Sequence, residues 1–246
     1  MIRTRPARSG PTGRALVGLL AAGLCLTGCG SSLGVHPGSA AVIGDENISM
    51  SKIDSTTTKF CTFYVAQSHS QAAQQQSGPL PMGYLRTYAA TSLVQRALGE
   101  QLAAAYDVQP ASGYQQQLSQ FQGVLASTPA DQRDAAIALA GADAYLQNVQ
   151  VAIGQKLTGN TGSGNADLKA ALARGRVATQ DWLDDHDIFI DPVLGVSVDG
   201  DGTFTSERGQ TSYPLSALAA AGAKIDGQQV PDDSYTSALP AAQVCG

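Results

Sequence analysis

Charge and aromatic side chains are both scarce in this sequence. Phe, Trp and Tyr together make up 6% of it, with a single Trp, and Asp, Glu, Lys and Arg make up 14%. Beyond Arg14 there is no run of Lys or Arg and no basic stripe, which argues against nucleic acid and against docking on anionic lipid. A phosphate-cradling Gly-rich loop with its Lys is missing, so nucleotide chemistry of that kind has no motif here. Histidine occurs three times, with His36 in a Gly- and Pro-containing stretch, His69 in a Gln- and Ser-rich one and His186 at a helix end, and these settings do not suggest a ligand cluster. The longest purely apolar run, residues 15–26, is 12 residues long. A bilayer-spanning helix needs about 20.

That run sits where an export signal would place it. Arg3, Arg5, Arg8 and Arg14 form a basic start with no acidic residue among them, and the apolar stretch follows. It ends in Leu26-Thr27-Gly28-Cys29. This tetrapeptide resembles the lipobox of bacterial lipoproteins, in which small residues admit the peptide to a protease and the cysteine sulfur accepts a diacylglyceryl group. The resemblance implies a signal peptide over residues 1–28 and a mature chain starting at lipid-modified Cys29. The expected location is extracytoplasmic, on the outer face of the cell membrane, with the lipid as the membrane contact. Residues 29–39, with Gly30, Gly34, Pro37 and Gly38, read as a flexible tether.

Removal of residues 1–28 takes four arginines and leaves 11 basic residues against 20 acidic ones, a net charge of −9. Of the four cysteines, Cys25 leaves with the leader and Cys29 takes the lipid. Cys61 and Cys245 remain as an even pair in an oxidising compartment, where a bridge between them is expected. Such a bridge would close almost the whole domain into one loop, worth at most about 5 kcal/mol by chain entropy. Two buried free thiols are the alternative.

Periodicity organises residues 40–246 as one domain. Residues 40–44 are β-prone, residues 45–47 read as a turn, and Ser51 is the expected cap of a first helix over 52–76. Gly78-Pro79-Leu80-Pro81 breaks it. A second helix over 82–106 carries Leu85, Ala89, Leu93, Ala97, Leu98 and Leu102 on one stripe. A third runs over 110–125, a fourth over 129–157, and a fifth over 166–185 with Leu168, Leu172, Gly175, Thr179 and Trp182 on its face. Ile188-Phe189-Ile190 is a short strand, Leu194, Val196 and Val198 alternate like another, and Gly200-Asp201-Gly202 turns the chain. Leu215 opens a short helix in an otherwise Ser, Ala and Pro-rich tail. The expected fold is mostly α, a bundle of about five helices closed by a small β element that pairs the first and last strands.

One family resemblance follows from the two ends of that domain. Ala40-Ala41-Val42-Ile43-Gly44, a turn, Ile48-Ser49 and a helix start resemble the opening of SurA-like and PrsA-like exported chaperones. At the far end, Ile188-Phe189-Ile190-Asp191-Pro192 followed by Gly195 is similar to the strand that closes the SurA N-terminal domain. The resemblance covers roughly residues 40–198. It implies a helical chaperone portion in which those two strands pair, and contact of the apolar inner face with extended clients. The arginine and tryptophan common after the closing strand are replaced here by Val193 and Val196. The consecutive helices leave no room for the parvulin domain of those proteins, so isomerase activity does not carry over.

No convergent catalytic set is apparent, and no enzyme, cofactor, metal or small-molecule ligand is expected. His186 among Asp184, Asp185 and Asp187 reads as a solvated helix end, and Asp199-Gly200-Asp201-Gly202 as a β-turn lacking the remaining ligands of a calcium loop. Tyr64, Trp182 and Phe189 could line a client groove, although a lone Trp late in an amphipathic helix is more often a core residue. The leading expectation is a lipoprotein holding unfolded secreted or envelope proteins. The alternative is a structural or adaptor lipoprotein binding one partner. A concave apolar patch with several exposed aromatics would favour the first, and a flat, polar-rimmed patch the second.

Overall fold

Alternation over residues 39–49 produces a hairpin. Ser39–Ile43 (β1) and Glu46–Ser49 (β2) pair antiparallel, with Ile43 opposite Glu46 and Val42 opposite Asn47. The loop is Gly44-Asp45, one residue shorter than the turn expected over 45–47. Gly44 supplies a φ of +56° at the first loop position, the requirement of a type II′ turn. Asn47 therefore belongs to the ladder. The structure is a computed structural model and describes residues 36–68, 78–205, 213–225 and 230–246. The lipobox, Cys29 and His69 lie outside the described residues.

The helix α1 (Met50–Ser68) follows β2 without a linker. Ser49 caps it, accepting the Lys52 N–H at 3.1 Å, instead of the expected Ser51. The extended backbone at the end of β2 already has the geometry an N-cap needs. The expected continuation of this helix to residue 76 falls outside the described residues. Leu80–Pro81 (β3) then leads into α2 (Met82–Ala105), which matches its expected span almost residue for residue. Leu85, Ala89, Ala90, Val94, Ala97, Leu98 and Leu102 are its buried stripe. At its end Asp107 has φ +47°, and the Lys156 ammonium donates to the carbonyls of Tyr106 (2.8 Å) and Asp107 (3.0 Å). A cation on the last carbonyls complements the helix dipole.

The helix α3 (Ser112–Val124) buries only Tyr114. The single helix expected over 129–157 is two, α4 (Ala130–Ala140) and α5 (Ala142–Thr158), broken at Gly141. A Cβ at Gly141 would lie 2.8 Å from the Ile137 carbonyl oxygen. The break lets α4 pack on α1 and α2 while α5 packs on α2 and α6. In α6 (Asn165–Asp185) the buried face is Ala171, Gly175, Ala178, Thr179 and Trp182. Its seam with α5 is backbone on backbone. A Cβ on Gly154 would fall 1.9 Å from the Ala171 carbonyl oxygen, and one on Gly175 1.9 Å from that of Gln150.

Ile188–Ile190 (β4) pairs with β1, Val42 opposite Phe189, so the sheet order is β2-β1-β4. The pairing of the 40–44 segment with the 188–190 segment is as expected. Leu194, expected in a strand, lies in a 3-10 turn, Pro192–Leu194, nucleated by Asp191 accepting the Val193 N–H at 2.9 Å. Ser197–Val198 (β5) and Phe204–Thr205 (β6) make a hairpin around the Gly200-Asp201-Gly202 turn. The tail holds α7 (Ala217–Gly222), α8 (Asp233–Ser237) and β7 (Val244–Cys245). The last strand in the chain is thus β7, which pairs with β3. The fold is mostly α, with a small antiparallel sheet, and residues Pro37–Gly246 form one unit.

Among the described residues, two apolar clusters hold it. The larger gathers β1, α1, α2, α5 and α6 around Ile43, Ile53, Leu98, Val149 and Ile153. The smaller is Leu80, Leu85 and Cys245, flanked by Phe60, Cys61, Tyr64, Val65, Met82 and Tyr84. One polar pair is fully enclosed. Thr179 Oγ1 donates to the Gly175 carbonyl (3.0 Å) and accepts from Gln150 Nε2 (3.2 Å), with Gln150 and Thr179 3% and 0% exposed. Thr179→Val keeps the volume but strands the amide, which costs about 1–3 kcal/mol. The urea midpoint falls with an unchanged slope; an unchanged midpoint would show that the pair contributes nothing.

Candidate functional site

Two neighbouring features of the sequence converge at one concavity. In a hairpin with a two-residue loop, the residues flanking the loop exchange both hydrogen bonds and the next pair exchanges none. Ile43 and Glu46 flank the loop, so the N–H and C=O of Asn47 point away from β1, toward the edge of the sheet that no other described strand covers. Glu46 and Asn47 are exposed, and Ile48 is buried beneath them. Facing this edge, Leu93, Arg96, Ala97 and Glu100 recur at helical spacing on α2. Together with Ser49 and Lys52 they line a concavity of about 400 Å³. Its rim carries two cations and two carboxylates, and its apolar floor is confined to Ile48, Leu93 and Ala97.

Arg96 is held rigidly there. Its Nε donates to Glu100 Oε1 at 2.6 Å, its Nη1 to the Tyr114 hydroxyl at 2.9 Å, and its guanidinium lies 3.6 Å over the Tyr145 ring. Tyr114 and Tyr145 meet edge to face at 5.1 Å. Gly99 makes room, since a Cβ there would come 2.8 Å from the Tyr145 ring. Burial works against the charge on Arg96, but Glu100 and Tyr114 outweigh it and hold its pKa above the usual arginine value. Burial likewise raises the Tyr145 hydroxyl, against the pull of Arg96. One side chain thus ties α2 to α3 and α5 while presenting a fixed charge pair to the concavity. Nothing in the sequence reading singled out this cluster. The i, i+4 spacing of Arg96 and Glu100 was the available signal.

The residues proposed from sequence as a client groove do not come together. Trp182 is 6% exposed and belongs to the main core. Its ring stacks on His186 at 4.0 Å, and His186 Nδ1 is 2.8 Å from the Trp182 carbonyl oxygen. Of the two readings of Trp182, the core one fits a ring this buried, which presents no face to a client. Phe189 is half-buried on β4 opposite Val42. Tyr64 belongs to the smaller cluster, its hydroxyl donating to the Gly78 carbonyl at 2.6 Å. Cys61 and Cys245 are joined in a disulfide, 184 residues apart in sequence. Asp199 to Gly202 is the expected turn, with the Gly202 N–H donating to the Asp199 carbonyl at 2.8 Å.

Among the described residues no group of three or more His, Cys, Asp or Glu side chains is placed to hold a metal ion. None of the described helices is long and apolar enough to cross a membrane. Large apolar side chains that stand exposed are dispersed, with Val124, Leu157, Val177 and Val193 each on a separate element. Tyr213, Leu215 and Val230 stand exposed along the tail. No family model, no curated protein and no solved structure matches this chain.

Proposed function

We propose that this protein is an exported lipoprotein, tethered to the outer face of the cell membrane through Cys29, that acts as an envelope adaptor. Its domain binds one protein partner at the concavity between β2 and α2. The observation that carries this reading is the open edge of β2 beside the fixed Arg96 and Glu100 pair. An exposed strand edge offers backbone hydrogen bonds to an extended segment, and flanking charges set its register. A polar rim over a small apolar floor suits a specific partner better than an unfolded chain. The proposed kinship with the helical portion of SurA-like proteins draws support from the pairing of β1 with β4. No catalytic role is part of the proposal.

A photo-crosslinking side chain at Lys52, on intact cells, tests the site. A single discrete adduct, lost when Asn47→Pro removes the outward N–H, is the expected result. Proline is tolerated on an edge strand and Asn47 donates nothing to β1, so the hairpin survives. An adduct indifferent to Asn47→Pro, or none, sinks the reading. The second reading, a holdase for unfolded envelope proteins, is favoured by the exposed Tyr213, Leu215 and Val230 of the tail. It requires suppression of light scattering by an aggregating client near equimolar protein.

A further inference from the structure

The smaller apolar cluster has an unusual cover. Its floor is made by Phe60 and Tyr64 of α1, Leu80 of β3 and Leu85 at the start of α2, and it is closed by the last two-residue strand of the chain. Cys245 is 1% exposed in that position. Among the described residues its ladder is short, and it rests on α1 and β3. Leu80 faces Cys245 and Pro81 faces Val244, and Pro81 has no N–H to give. The covalent bond to Cys61 is the principal fastening, and Cys61 itself is only half-buried on α1.

Among the described residues, none after Phe204 contributes to the main core. The described parts of α2, α5 and α6 therefore pack without described residues of the tail, and the described tail meets the rest of the domain at α1, at Gly78 to Pro81 and through the disulfide. We propose that the C-terminal strand is a redox-latched strap, which a dithiol reductant releases to uncover the Phe60, Tyr64, Leu80 and Leu85 floor and the backbone edge of Leu80. A thiolate of the reductant attacks the Cys61 sulfur, and Cys245 leaves and takes up a proton. The second thiol of the reductant then displaces Cys61, which leaves as a thiol while the reductant closes into a cyclic disulfide. Two electrons and two protons pass to the protein. The uncovered surface, apolar with one unpaired strand edge, fits an extended apolar peptide segment.

Trp182 is the single tryptophan and lies in the main core, so its emission reports the body of the domain independently of the tail. The full chain, with its N-terminus as the host leaves it, is compared before and after dithiothreitol and beside the Cys61→Ser/Cys245→Ser double variant. Chymotryptic cutting after Tyr235 rises roughly tenfold or more on reduction, following the population of the open form. A solvatochromic apolar dye gains fluorescence, and Trp182 emission and helical ellipticity stay unchanged. The double variant behaves like the reduced protein. Two results would overturn the strap: cutting that does not change, or a red shift of Trp182 that accompanies it, since the latter means the bridge holds the whole fold.

Discussion

Gly154→Ala lowers the stability of the domain by roughly 3 kcal/mol, and Gly175→Ala does the same. In an ordinary helix either change would gain about 1 kcal/mol, because alanine loses less backbone freedom. Here each new methyl would stand 1.9 Å from a carbonyl oxygen of the facing helix, and backbone atoms in mid-helix cannot step aside. The helices must separate, and the contacts of Gln150, Thr179 and Ala171 along the seam loosen with them. For a domain of this size the expected fall in Tm is roughly 6–12 °C. Thermal unfolding followed by circular dichroism measures it. The double variant costs less than the sum, because the first methyl already opens the space the second needs. An unchanged or higher Tm would show that the seam can widen without penalty.

Cys29→Ala moves the protein from the membrane fraction to the soluble one, nearly completely. A single acyl chain binds a bilayer reversibly, while two or more hold firmly at about 0.8 kcal/mol for each buried methylene. A lipid on Cys29 would therefore be all or nothing for location, and fractionation of cells with a blot of each fraction reads it directly. Metabolic labelling with a radioactive fatty acid gives the companion result, label on the parent chain and none on the variant. Membrane retention of Cys29→Ala would remove the lipoprotein reading and leave the partner-binding proposal to stand on the β2–α2 concavity alone.

Much of the architecture was legible where one physical signal dominated. The stripe from Leu85 to Leu102 gave α2, because large side chains recurring every three or four residues leave no other way to bury them. The strands at 40–44 and 188–190 were legible from β-branched composition and flanking Gly and Pro. Gly141 was not, since Ile137, Leu139, Ala142 and Leu146 keep the helical period across the break and hide it. The face of α6 misled for the opposite reason. Leu168 and Leu172 are partly exposed, and the true seam is made of small residues whose value is that they are absent from the interface. The Arg96 cluster was illegible because Tyr114 and Tyr145 lie 18 and 49 positions beyond it, and only the fold brings them together. Trp182 satisfies its packing in the core, so its rarity in the sequence marked structure instead of a binding surface.

The central place of β1 in its sheet governs the order in which the fold can be completed. Its hairpin partner lies a few residues away, but its other neighbour, β4, is separated from it by the entire helical bundle. A chain emerging from its N-terminus can close β1 on β2 at once and then must carry an open edge at Val42 until Ile188–Ile190 arrive. Contacts of such long sequence separation form slowly, because the loop between them has to be ordered first. Until then Val42 and its neighbours are an unsatisfied template for strand pairing. Docking of β4 is the step that retires this hazard, and its residues follow all six long helices in the chain.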